Sequence, residues 1–144
     1  MSKKKPLWKQ AESDFESFMN ARGKKAYVHR LTDTAQAKAT GGKKAFVVNQ
    51  PSDYLGVLDG LTFFGEVKSS TNRTSFPYSN IKKTQLAHAR RIIMAGGSYL
   101  FFIKSYALDK WYIVPAQFII NNKTSKSSKW TDLAPYEWNP YELS

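Results

Sequence analysis

Cysteine is absent from the 144 residues, which removes disulfides and thiolate zinc sites from consideration. Histidine occurs only as His29 and His88, so a histidine-rich metal site is excluded too. Any metal would be a hard cation held by carboxylates. No apolar run approaches the length of a membrane span, and no charged-then-apolar leader precedes a cleavage site. The expectation is a soluble, cytoplasmic protein. Acidic residues are scarce: 11 Asp and Glu face 22 Lys and Arg, for a formal charge of +11. An excess that large repels itself in a compact chain and favours a polyanion such as nucleic acid. The plainer alternative is a lysine-rich solvated surface.

What is present suits one domain. A hydrophobic fraction of 42% and an aromatic fraction of 15% can build a modest single core. Residues 1–122 read as that domain. Residues 1–6 form a basic arm, Lys3-Lys4-Lys5-Pro6, and Trp8, Ala11, Phe15, Phe18 and Met19 at helical spacing predict a helix closed at Gly23. Lys24 to Arg30 reads as a first strand. Residues 31–46 show neither period and read as a protruding basic loop between the first two strands. Asp53–Leu58 and Leu61–Lys68 predict a hairpin closed by Asp59-Gly60. After a polar loop holding Phe76-Pro77, Ser79 or Asn80 is expected to cap a helix that runs to Ala95 and stops at Gly96-Gly97. Tyr99–Lys104 has the apolar run of a central strand, Trp111–Val114 reads as another, and a short helix opens at Pro115. Residues 123–144 form a polar, aromatic tail that reads either as a wrap around the domain or as a segment for a partner.

The hairpin carries the chemistry. Counting outward from Asp59-Gly60, Leu58 faces Leu61 and the register places Asp53 opposite Glu66, with Cβ atoms ~5 Å apart. Two carboxylates that close destabilise a hairpin unless positive charge lies between them, and a divalent cation supplies it. Lys68, two residues past Glu66, projects from the same face, while the Val67 carbonyl offers a further ligand. These are the parts of phosphodiester hydrolysis: a cation against the phosphate charge and an ammonium for the transition state. The same residues also fit a salt-bridged surface, and Gly56 or Gly65 could mark a bulge that shifts the register.

Glu12 lies beside the apolar stripe of the first helix, either as an ion-pair partner or as a third carboxylate bordering the metal. On the later helix Gln85, His88 and Ile92 share a face. Gln85 is the candidate for orienting water or contacting the DNA backbone, and His88 reads as a histidine at the core edge. Lys82, Lys83, Arg90 and Arg91 give that helix a basic margin. With Lys38, Lys43 and Lys44 in the loop and Arg73 after the hairpin, they are the candidate phosphate contacts.

The runs Pro51-Ser52-Asp53-Tyr54-Leu55-Gly56-Val57, Gly65-Glu66-Val67-Lys68, Asn72-Arg73-Thr74-Ser75-Phe76-Pro77 and Gln85-Leu86-Ala87-His88 resemble RecU-type Holliday-junction resolvases. The resemblance spans roughly Gln50 to Ile113, and Glu12 matches the glutamate helix of such enzymes. It implies an α/β fold of the PD-(D/E)xK (restriction-endonuclease-like) type, a central mixed sheet flanked by helices with a stalk between the first two strands. It also implies a homodimer that nicks four-way DNA junctions symmetrically with Mg²⁺ or Mn²⁺ in recombination and repair. Asp53 and Glu66 would be metal ligands, Lys68 the catalytic lysine and Glu12 an accessory acid. Residues 31–46 occupy the stalk's place without matching its residues. The short chain and divergent tail point to a phage-encoded or otherwise compact relative, acting in a bacterial or phage-infected cell. Two alternatives stand beside this reading: a restriction- or repair-type nuclease of the same fold acting on duplex DNA, and a non-catalytic DNA-binding module.

Overall fold

The computed structural model describes residues 5–31 and 50–142. The loop expected over residues 31–46, with Lys38, Lys43 and Lys44, therefore lies outside the described residues except for Leu31. The elements run α1 (Leu7–Ala21), β1 (Ala26–Arg30), β2 (Tyr54–Leu58), β3 (Leu61–Ser70), β4 (Ser75–Pro77), α2 (Lys83–Met94), β5 (Tyr99–Ser105), β6 (Lys110–Pro115), α3 (Ala116–Asn121), β7 (Ser127–Lys129) and β8 (Glu137–Trp138). Single 3₁₀ turns occupy Gly23–Lys25, Tyr78–Asn80 and Ala134–Tyr136. Among the described residues no helix is long and apolar enough to cross a membrane.

The hairpin forms in the register that the sequence predicts, Leu58 opposite Leu61 through Tyr54 opposite Gly65. Asp59 and Gly60 hold φ of 49° and 87°, the doubly left-handed turn whose twist matches that of paired strands. Gly56 does not mark a bulge. A Cβ there would stand 2.7 Å from the Tyr27 carbonyl oxygen and 2.8 Å from the Phe63 ring, so glycine permits a close approach.

Six strands form one sheet in the order β1-β2-β3-β5-β6-β8. Every pairing is antiparallel except β3 with β5, which α2 joins as a crossover. All seven residues of β5 are buried, as its central place demands. One sheet face packs on α1 through Ala11, Phe15 and Met19, against Tyr54, Phe63, Val67 and Phe102. The other face packs on α2 and α3 around Phe101, Ile103, Ala89 and Ile119. This is the mixed α/β architecture, a central sheet flanked by helices, that the sequence predicts.

Several boundaries differ from expectation, among them the start of β2 at Tyr54 instead of Asp53 and the end of β3 at Ser70 instead of Lys68. The first strand starts at Ala26, because Lys24 and Lys25 lie in the 3₁₀ turn. Neither Ser79 nor Asn80 caps α2: Ile81 stays extended to reach the core, and the helix begins at Lys83. The Lys82 N–H is satisfied instead by Gln85 Oε1 at 3.0 Å. At the far end, Gly96 and Gly97 donate to the Ile93 and Ile92 carbonyls, closing α2 where the sequence predicts.

The C-terminal segment packs back on the domain. β7 pairs with β4, β8 pairs with β6, and Trp130 and Leu133 are buried in the α2-side core. The Trp130 ring stacks on Tyr112, and its Nε1 donates to the Asn72 carbonyl at 2.8 Å.

Candidate active site

β2 stops at Tyr54, so Asp53 sits one step beyond the paired hairpin, at its open end. The Leu31 N–H donates to the Asp53 carbonyl at 2.8 Å and fixes the chain there. Continuing the register by one residue brings Asp53 to Glu66, and Lys68 follows on the same face. Val67 packs its side chain on the α1 face. The Phe64 N–H donates to Ser98 and the Ser70 carbonyl accepts from Tyr106, so even-numbered residues of β3 bond toward β5. The Val67 carbonyl accordingly turns the other way, to the side where β2 has ended and Asp53 stands.

Glu66 is 1% exposed. Its Oε1 lies 3.0 Å from the Tyr99 hydroxyl, which also lies 2.8 Å from the Pro51 carbonyl, and one hydroxyl proton serves only one of them. Among the described residues no donor reaches its buried Oε2. Burial pushes the Glu66 carboxyl up to about 8; the Asp53 carboxylate beside it adds to the rise, while Lys68 and the Tyr99 hydroxyl oppose it. Burial, with Glu66 alongside, also raises the Tyr99 hydroxyl.

A buried carboxylate oxygen with no donor is costly, and a divalent cation between Glu66 and Asp53 would satisfy it. Among the described residues no group of three or more His, Cys, Asp or Glu side chains is placed to hold a metal. A third protein donor would therefore come from the main chain, as the Val67 carbonyl can. The residues present fit a hard cation on this basis.

A cleft of about 1110 Å³ is lined by Asp53, Val67 and Lys68 together with Glu12, Gln85, Lys82 and Arg30, while Glu66 lies buried outside its lining. Glu12 arrives from α1, around the end of the sheet. Its carboxylate accepts from Arg30 Nη1 at 3.1 Å, and burial raises its pKa against the opposing pull of that guanidinium. Arg30 also donates to the Tyr54 hydroxyl at 2.9 Å, and that hydroxyl donates to Glu16 at 2.7 Å. The structure shows Glu12 as an ion-paired acid at the cleft wall.

Gln85 has its oxygen engaged at the start of α2, which leaves the side-chain amide as its donor group. His88 is half-buried. Arg73 borders an adjoining pocket, whereas Lys83, Arg90 and Arg91 lie outside the lining of both. Sequence reasoning missed Arg30 and Tyr99. Arg30 stands opposite Tyr54 in the β1–β2 register, which could be read only once the strand across the intervening loop was aligned.

The family model described as Recombination protein U, RecU, matches residues 21–140. A Lactobacillus helveticus protein named Holliday junction resolvase RecU is 29% identical over 108 residues, 75% of this chain and 51% of that protein. A Leuconostoc citreum protein of the same name is 36% identical over 69 residues, 48% of this chain and 34% of that one. The chain spans about half the length of the curated relatives it matches. Among solved structures, the Holliday junction resolvase Hjc of Archaeoglobus fulgidus superposes with a TM-score of 0.56 at 14% identity, covering 90% of this chain and 92% of that one. The superposition shows the fold, the PD-(D/E)xK type that the family resemblance implies. With the match over residues 21–140, the chain belongs to the RecU family.

Proposed function

We propose that this protein is a divalent-metal-dependent, structure-selective DNA endonuclease that resolves four-way junctions by paired symmetric nicks. The observation that carries the reading is the Glu66 carboxylate, buried beside Asp53 with one oxygen that no donor among the described residues reaches, and with Lys68 on the same face. Asp53, Glu66 and the Val67 carbonyl would hold Mg²⁺, with Mn²⁺ as a substitute. Bound there, the cation supplies positive charge against the phosphate and acidifies water.

The chain's own groups supply the rest. Lys68 places an ammonium where charge develops on the phosphate. Tyr99 holds Glu66 in place, and Arg30 holds Glu12 at the wall as an accessory acid. The Gln85 amide and the Lys82 ammonium face the incoming backbone. Relatives named Holliday junction resolvase support the choice of substrate. The described residues hold one such carboxylate pair, and symmetric nicks need two related by a two-fold axis, so the acting species in this reading is a homodimer; its setting is the cytoplasm of a bacterial or phage-infected cell.

Incubation with Mg²⁺ and matched linear, flap and four-way DNA tests the reading, with the protein sized in solution. Paired nicks in the four-way substrate by a dimer are expected. Asp53→Asn, Glu66→Gln and Lys68→Ala should each lose at least about a hundredfold in rate. The two carboxylate variants should bind the junction as well as wild type or better, since each removes charge that repels phosphate. Near wild-type cleavage by either of them would refute the site. A preference for linear duplex would favour a restriction- or repair-type enzyme, and binding without cleavage a non-catalytic module.

A further inference from the structure

Three of the exposed large hydrophobic residues gather at the mouth of the basic cleft. Leu7 is 48% exposed, Trp8 54% and Leu108 43%. Leu7 and Trp8 line the cleft itself, and Leu108 lines a second pocket of about 520 Å³ beside it. Tyr106 and Thr71 border both pockets, so the two adjoin, with Arg73 in the outer one. An apolar rim beside a cleft that carries Arg30, Lys68 and Lys82 does not serve a continuous duplex, whose bases are stacked inward. It suits a base that has left the stack.

Resting on the nuclease reading above, we propose that Trp8 is a stacking platform for an unstacked base next to the scissile phosphate, and that it selects branched over continuous DNA. The indole stands at the start of α1, with Lys9 Nζ 5.4 Å from its ring centroid. A flat ring with an ammonium beside it complements the two parts of a nucleotide, base and phosphate. The backbone that carries the ring is held: the Tyr106 hydroxyl donates to the Leu7 carbonyl at 2.8 Å and pins the first turn of α1 against the β5–β6 connection. Tyr106 is thus a positioning residue for Trp8. The other tryptophans are poor candidates, since Trp111 and Trp130 are each 3% exposed and Trp138 packs against Phe18.

The test uses the intact protein in EDTA, where binding is read without cleavage. Junction, linear duplex and single-stranded oligonucleotide are titrated into wild type, Trp8→Phe and Trp8→Ala. Tryptophan fluorescence is followed, along with 2-aminopurine placed at single positions around the branch point. Wild-type fluorescence should be quenched by junction and single strand more than by duplex, and the quench should vanish in both variants. Trp8→Ala should lose about tenfold or more in junction affinity. Its duplex affinity should stay as in wild type, and Trp8→Phe should recover much of the loss. Equal losses on junction and duplex, or a 2-aminopurine signal that Trp8→Ala leaves unchanged, would overturn the proposal. If wild type cleaves no DNA, the nuclease reading fails on its own, while quenching by single strand still reports the platform.

Discussion

Glu66 shows how one residue can be costly in isolation and suited to its task. The sheet centre removes it from water, and its pKa rises from 4.5 to about 8. The folded chain then holds the proton more tightly than the unfolded chain does. That contribution to stability is complete below about 4.5 and is lost as pH rises through about 8. Glu66→Gln carries no such proton. Without metal, its stability advantage over wild type should therefore grow across that window, to on the order of a few kcal/mol on the alkaline side. Urea melts at several pH values measure the gap. If the proposed site holds the ion, adding Mg²⁺ should stabilise wild type and leave Glu66→Gln almost unmoved. A gap that stays constant with pH would show that Glu66 is not held in this way.

At the scale of elements, the hairpin was the most legible part, because Asp59-Gly60 leaves little choice of turn and the turn sets every later pair. The α1 stripe and the buried run of β5 were legible for the same reason: a period or a run constrains many residues together. The start of α2 was not, since Ile81 answers to a core that local sequence does not display. Arg30 and Tyr99 were hidden because each meets the carboxylates through strand neighbours distant in sequence. The tail was left open between two readings, and its partners are Phe76, Tyr112 and Asn72. Trp130 is its anchor, so Trp130→Ala should cost about 3–5 kcal/mol in denaturant unfolding. Trp130→Phe should recover most of that and leave about 1 kcal/mol for the lost bond to Asn72. A Trp130→Ala protein of wild-type stability would mean that the tail is not part of the core.

For the whole molecule, the proposed nuclease reading makes charge the first determinant of binding to DNA. A net charge of +11 makes every neutralised phosphate release counterion, with a slope of about −0.9 in log affinity per log salt for B-form DNA. Junction binding should therefore fall steeply between low and physiological salt, as a filter or anisotropy titration would record. A nearly flat dependence would contradict an electrostatic footprint.

The order of strands in the sheet is also the order of strands in the chain. A ribosome releasing this polypeptide can have its sheet laid down from one edge to the other, with no late strand forced between two that have already paired. The carboxylate hairpin emerges early, but the strand carrying Tyr99, which shuts Glu66 away from water, emerges after it. Until that strand docks, Glu66 is an ordinary solvated acid, and the nascent chain carries an unfinished site.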